Sequence, residues 1–568
     1  MKFDKDIILA IAICALILFG WEPFSRYMGW TSKPEATVKT TETTVTTPQK
    51  TTTTVAKVNK TTKTETTVVV PQQQKKYSLQ TIANDDLKVL INPNNGDIQS
   101  VELLKYKNAD RTGIVTINKA ADRNGLLELI NTKGAFKVIS VKCKTQDKKC
   151  TLVRTILIDN KPVQLTQVWE LAAKGYVINT SITFANLSQE AISFNNLVLT
   201  ASNLGPWSIH SGDKVRIPSH RLDYLTSNGD YEDIAADKKD SKFFQTPAPM
   251  VDWAAASNKY FCFILDAKDP YALYQARYYV NDQKEKDESR PVITIGANLP
   301  EFVLNAKTSK TFNYSLYSGP KIISELDAFK PSVSKVMHLA WGPLDYLSRL
   351  LLWILVKLNS VVHSYGISII ILTILVRTIF YPLTAKGNAS MKKMQEIKPQ
   401  LEEIRTKYKD NPQLMNTKMM ELYRVHGVNP FGGCLPILLQ IPVFFALYAT
   451  LDGAVELRQV PFLWCKDLAA ADTIATINLY FFNLPINPLV LVMTALMALQ
   501  QHLTPMAMDP VQKKMMALMP IIMLIFLYDL PSGLTLYWTI SNVFSIIQLK
   551  LQQRARNAAQ GTVTETRS

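Results

Sequence analysis

Hydrophobic and polar positions follow three different patterns along the chain. Residues 7–19, "IILAIAICALILF", are almost pure hydrocarbon behind Lys2 and Lys5. From 77 to 320, short β-branched and aromatic runs alternate with turn signals, as in "LKVLINPNNGDIQSVEL" with Asn95-Gly96 at the turn, "GYVINTSITFANLS", "KYFCFILDA", "PVITIGANL" and "KTFNYSLYSGP". Many strands at short spacing, with almost no long helical period, predict a large antiparallel β-sandwich. From 350 onward, long apolar stretches recur between charged loops. They predict membrane spans at 364–383, 434–451, 487–503, 515–530 and 533–549. With a span at 7–22 the expected fold class is a multidomain membrane protein: six spans, of which one is an N-terminal anchor and five form a helical core.

The segments between are equally distinctive. "GWEPFSRYMGW" follows the first apolar run with no A-x-A-like site, and Trp21 and Trp30 stand where interface anchors would. Ile11, Ala12 and Ile13 before Cys14 lack the small residue that a lipoprotein cleavage site needs. An uncleaved signal-anchor is expected, with residues 1–6 before it. Residues 23–76 hold a Thr/Lys/Gln tract too poor in apolar groups to bury a core, and read as a flexible linker. Residues 321–363 read as a connector and an interfacial amphipathic helix, because Asp345, Ser348, Arg349, Lys357 and Asn359 are spread through "WGPLDYLSRLLLWILVKLNSVVH". In 384–433, Met391, Met394, Ile397, Leu401, Ile404 and Tyr408 step by three and four, as do Met415, Met419, Leu422 and Val425. Lys409-Asp410-Asn411-Pro412 separates the two series, so a helical hairpin with a Met-rich seam is expected, with Pro399 starting or kinking its first arm. Methionine suits either a seam inside the hairpin or a surface for varied apolar partners.

Charge sets the orientation. A mean hydropathy near zero, 47% apolar residues and a net charge of +16 are an average over soluble and membrane parts. The 384–433 loop holds nine Lys/Arg, the 504–514 loop has Lys513 and Lys514, and the 550–568 tail has Lys550, Arg554 and Arg556. The 452–486 loop has only Arg458 and Lys466. By the positive-inside rule both termini and the hairpin are cytoplasmic, and the β domain lies outside. Cys143 and Cys150 flank "KTQDKK" between two strand-like runs. They form a candidate disulfide if that side is oxidising, and two separate thiols otherwise.

One arginine sits inside an apolar run, Arg377 in "ISIIILTILVRTIFYPLTAKG". Its cost in a bilayer is at least about 2.5–3.5 kcal/mol. Thr373 lies one turn above it, and the proposed topology brings Gln440 and Gln501 to a similar depth. Tyr537 and Trp538, then Ser541 and Asn542, continue the polar character on the last span. No Asp or Glu lies deep in any span as a counter-ion, which points to a hydrated recess. Snorkelling of Arg377 and interhelical hydrogen bonds between the glutamines are the simpler alternatives. Several spans hold only 16–18 apolar residues, short enough to thin a bilayer.

"GISIIILTILVRTIFYPLT", "VNPFGGCLPILLQIPVFFALY", "VELRQVPFLW", "DPVQKKMMALMPIIM" and "LPSGLTLYWTISN" resemble, in order, the membrane core of the YidC-type protein insertases. With the anchor and the β domain, the chain resembles the Gram-negative form. The β domain matches more loosely, through "GPW" at 205–207 and "YFCF" at 260–263. The resemblance implies a hydrophilic groove open to cytosol and lipid, with Arg377, Thr373, Gln440, Phe444, Gln501, Tyr537 and Trp538 as its residues. It implies a supersandwich-like periplasmic domain, a cytoplasmic hairpin needed for activity, location in the inner membrane, and contact with nascent membrane proteins, ribosome–nascent chain complexes and the Sec translocon. No catalytic constellation, nucleotide loop, metal spacing, cofactor motif or sequence-specific nucleic-acid element is found in the sequence. A small-solute transporter or channel is the alternative, but it would need repeated halves and intramembrane acids that the chain does not show. A carbohydrate enzyme acting through the β domain is a third reading.

Overall fold

Alternation of apolar residues builds the first half of the chain. The computed structural model describes residues 77–565 apart from 120–124, 203, 205–219, 236–247, 282–288, 428–434, 479–482 and 505–509. The expected anchor at 7–22 and the linker at 23–76 lie outside the described residues. Strands Lys149–Ile158, Lys161–Leu171 and Val177–Asn186 turn every second residue inward, burying Leu152, Ile156, Leu165, Trp169, Ile178, Ile182 and Phe184. They belong to a 12-stranded sheet, and a four-stranded sheet of Gln80–Ala83, Leu87–Asn92, Asp97–Lys107 and Ile114–Lys119 shares its core. The strand pairings described are all antiparallel.

The expected turn at Asn95-Gly96 is present. Asn92 pairs with Asp97, the Gly96 amide donates to the Asn92 carbonyl at 2.8 Å, and Gly96 has φ +74°. A Cβ there would also collide with the guanidinium of Arg154. That buried arginine donates to the Asn95 carbonyl at 2.7 Å and to Gln167 Oε1 at 2.5 Å, so the turn is fitted around it. The Cys143 and Cys150 strands pair as a hairpin in which the two residues are diagonal neighbours. Their thiols are unbonded with Sγ atoms 3.5 Å apart.

The second half is helical. In order come α1 (Ile323–Phe329), α2 (Pro343–Val362), α3 (Tyr365–Ile379), α4 (Tyr381–Glu396), α5 (Lys398–Lys407), α6 (Pro412–Val425), α7 (Leu435–Gly453), α8 (Pro488–Leu503), α9 (Pro510–Phe526) and α10 (Ser532–Glu565). Pro399 falls in the first turn of α5, as its sequence position predicts, and the Asn411 side chain caps α6 by accepting from the Leu414 amide. Among the described residues no single helix is long and apolar enough to cross a membrane, while α3 with the start of α4 passes as a pair bent by 58°. At 1.5 Å per residue the 15 residues of α3 span about 22 Å, less than the roughly 30 Å hydrocarbon core.

A short segment after α7 joins the two halves. Val455 packs in the β-domain core, while Leu457 packs in the helical core. Around it, Lys259 pairs with Asp452 at 2.7 Å, Arg458 donates to the Lys107 carbonyl at 2.7 Å, and Gln459 donates to the Asn108 carbonyl at 2.6 Å. Between Val455 and Leu457 sits Glu456, whose Oε2 is buried with no hydrogen-bond partner. Burial pushes its carboxyl from the ordinary 4.5 up to about 7. A carboxyl with a higher pKa in the folded state holds its proton better there, so its stabilising contribution is full below about pH 4.5 and lost as pH rises through about 7. Thermal unfolding of the full chain in detergent should therefore show stability falling between pH 5 and 8, by up to about 3 kcal/mol. Glu456→Gln is expected to reduce that dependence, leaving the part due to Asp97, whose carboxyl burial also pushes up to about 7.

Candidate functional site

Arg377 is placed by the break at the end of α3. Ser368, Thr373 and Thr378 donate to the carbonyls four residues back, at 2.8, 2.7 and 2.8 Å, a bond that bends helices. Pro382 then lacks the amide that would continue the ladder, and α4 starts at a 58° angle. Arg377 is left in the last turn of α3, where the carbonyl end of the helix dipole favours a cation.

The opposing wall comes from α10. Tyr537, Ser541, Ser545 and Gln548 recur at intervals of four and three, forming a polar stripe on that helix. Arg377 Nε donates to Ser541 Oγ at 2.5 Å, and Gln548 Nε2 donates to Thr384 Oγ1 at 3.4 Å. Tyr537 is buried, with its hydroxyl against Ser541 and Gln440. On the neighbouring face of α10, Asn542 donates to the Met493 carbonyl of α8 at 3.4 Å.

Val376, Arg377, Phe380, Thr384, Gln440, Val443 and Tyr537 line a cavity of about 20 Å³, room for about one water. No carboxylate is among them. The positive charge therefore faces a hydroxyl, a phenol, an amide and a helix terminus. A hydrogen bond to a charged group contributes about 1.5–3 kcal/mol, less than the cost of isolating the ion in hydrocarbon.

Arg377, Gln440 and Tyr537 come together as the sequence pattern suggests. Thr373 is fully buried, spends its hydroxyl on the Ile369 carbonyl, and is outside the cavity wall. Phe444 and Trp538 meet edge to face with centroids 4.9 Å apart, next to the cavity but not lining it. Gln501 is half-buried near the end of α8 and outside the wall. Thr384, Phe380 and the role of Ser541 were not singled out from the sequence. Pro382 five residues after Arg377, and the four-residue step from Tyr537 to Ser541, are the signals that mark them.

In the α4–α6 region, Met394 and Met419 pack with Ile397, Leu401, Leu422 and Tyr423, a seam internal to the hairpin. Met415 is half-exposed and Met391 lies on α4. Val425, expected in the seam, is 73% exposed. Among the described residues no group of three or more His, Cys, Asp and Glu could hold a metal ion.

The described residues join a β-sheet domain to a bundle of apolar helices, with Arg377 in the last turn of α3 at a helix break. A family model described as 60Kd inner membrane protein matches residues 357–559, and one described as YidC periplasmic domain matches 79–354. The membrane protein insertase YidC of Syntrophobacter fumaroxidans is 31% identical over 567 residues, covering 96% of this chain and 98% of that protein. That of Dechloromonas aromatica is 32% identical, covering 82% and 83%. The Geobacter metallireducens insertase is 44% identical over 262 residues, so the chain spans less than half of that relative's length, 46%. An active YidC insertase crystal structure covers 85% of this chain and 93% of its own at 18% identity and a TM-score of 0.37. The chain belongs to the YidC family of membrane protein insertases.

Ser541→Ala should leave the Arg377 Nε hydrogen without its acceptor and destabilise the full chain by about 1–3 kcal/mol. Thermal unfolding in detergent checks this, with Ser541→Thr expected to retain stability.

Proposed function

We propose that this insertase takes client chains across the α3–α7–α10 corner, with Arg377 receiving the polar segment. The observation that carries the reading is a cation whose cavity contains no carboxylate. Such a group has unspent attraction for an acidic segment of an incoming chain. Beside it, Ile374, Leu375, Ile379, Ile441 and Phe445 are exposed apolar side chains on α3 and α7. They provide a surface along which a client's apolar segment slides into lipid, while its polar flank is held at the cavity. Phe444 and Trp538 form the edge between the two. The short α3 favours a locally thinned bilayer, which lowers the cost of moving polar peptide.

In this reading the helical region crosses the inner membrane, with an anchor at 7–22 as the first of six spans. The termini and the α4–α6 hairpin face the cytoplasm, where ribosome–nascent chain complexes deliver clients, and the Sec translocon is a partner in the bilayer. The sheet domain faces the periplasm, where an oxidising environment would bridge the adjacent thiols of Cys143 and Cys150. The positive-inside charge pattern supports this arrangement. Transport of small solutes finds no support in the relatives, which carry the name of insertases.

Arg377→Ala should reduce insertion of a client with an acidic translocated tail several-fold in reconstituted vesicles and leave a neutral-tailed client nearly unaffected. Arg377→Lys should restore part of the difference. Equal loss for both clients would show that the charge does not select polar tails.

A further inference from the structure

The segment between α7 and α8 carries a surface that the insertion route does not use. Strands Ala475–Asn478 and Asn483–Ile486 pair antiparallel, with Ile477 directly opposite Leu484 and Ala475 opposite Ile486. Alternation therefore puts Ala475, Ile477, Leu484 and Ile486 on one face and Thr476, Asn478 and Pro485 on the other. The apolar face is not covered: Ile477 is 48% exposed and Leu484 37%. An isolated two-stranded hairpin is marginal in water, and exposing its apolar face makes that worse.

The hairpin is held at one level. Asp472 Oδ2 accepts from the Leu489 amide at 2.6 Å at the start of α8, and Thr473 Oγ1 donates to Asn487 Oδ1 at 2.7 Å. Asn487 Nδ2 donates to the Tyr528 carbonyl at 2.8 Å, and the Tyr528 hydroxyl donates to the Pro485 carbonyl. The base is thus tied to the start of α8 and to the residues after α9, whose last turn exposes Ile525 and Phe526. Leu491 and Val492 near the start of α8 are likewise exposed apolar side chains. No Asp, Glu, Lys or Arg occurs from 473 to 508. Trp464, exposed and donating through Nε1 to Asp472 at 2.9 Å, adds an aromatic side chain of the kind that settles at a membrane–water boundary.

We propose that this hairpin is a lipid anchor, with its Ile477–Leu484 face resting in the headgroup–acyl boundary of the leaflet facing the β domain. Its open strand edges keep it out of the hydrocarbon core, where unpaired backbone groups are not tolerated. The headgroup region satisfies those edges while covering the apolar face. The anchor sets the depth of the adjoining ends of α8 and α9. This inference rests on the reading of those helices as membrane-inserted.

The test places a nitroxide label at Ile477→Cys, Leu484→Cys, Thr476→Cys or Ile525→Cys, one at a time, in the full chain with its own cysteines replaced by serine. The protein is reconstituted in phospholipid vesicles, and collision with oxygen is compared with collision with a water-soluble nickel chelate. The oxygen-to-nickel ratio at 477 and 484 should be severalfold above that at 476. An equal ratio at 476 and 477, or shielding of 477 from both reagents by a protein partner, overturns the proposal. The label at 525 separates the causes. Lipid exposure at 525 with an aqueous 477 removes the anchor alone, whereas an aqueous 525 removes the membrane placement of α9 and the anchor with it.

Discussion

The contact between Arg377 and Ser541 is the constraint around which the helical half is arranged. A guanidinium cannot shed its proton, so burying one requires either a carboxylate or an arrangement of neutral dipoles. The structure uses dipoles. The break after Ile379 turns the carbonyl end of α3 into a partial negative charge beside the arginine. Ser541 supplies the direct acceptor at 2.5 Å, and Gln440 and Tyr537 complete the wall. A carboxylate in place of Ser541 would satisfy the cation fully and leave nothing to attract a client. In the proposed insertion route, partial satisfaction would suit a site that binds weakly and releases.

The same break also shortens the helix. An unbroken helix from Tyr365 to Glu396 would cross the hydrocarbon with residues to spare, but Arg377 would then have no helix end next to it. Pro382, by ending α3 early, produces both the dipole terminus and the short apolar segment. A tolerated cation and a short apolar helix beside it both follow from a single residue that cannot donate.

Much of this was legible in the chain, where the determinants are local. Period-two alternation marks the strands, Asn95-Gly96 marks a turn that needs positive φ, and Pro399 and Asn411-Pro412 mark the hairpin's segment ends. Arg377 draws attention because a charge in an apolar run is costly wherever it lies. What was not legible depends on long-range partners. Thr373 looks available beside Arg377, yet its hydroxyl closes onto its own helix. Ser541 reads in the sequence as one of several polar residues on its span, and its role as the acceptor for Arg377 emerges only when α3 and α10 are brought together. Val425 fits the three-four step of its helix, but the seam has already ended at Leu422 and Tyr423.

The joint between the halves shows how the soluble domain can bear on the membrane region. Val455 and Leu457 are two residues apart in sequence but belong to different cores. The core of the sheets is thus joined to the end of α7, the helix that also presents Gln440 and Phe444. The connector from the sheet side is pinned as well, since His338 and the Tyr231 hydroxyl both meet Asp223 Oδ1, at 2.6 and 2.8 Å, just before α2. Helix α2 in turn is held to α7 by Ser348 donating to the Ala446 carbonyl at 3.1 Å and Thr450 donating to the Ser348 carbonyl at 3.0 Å. Two of the links from the β domain thus lead to α7, one wall of the Arg377 cavity. A large domain docked at one end of a 19-residue helix limits its tilt. The β domain is thereby tied to the helix that sets Gln440 opposite Arg377 in the cavity wall.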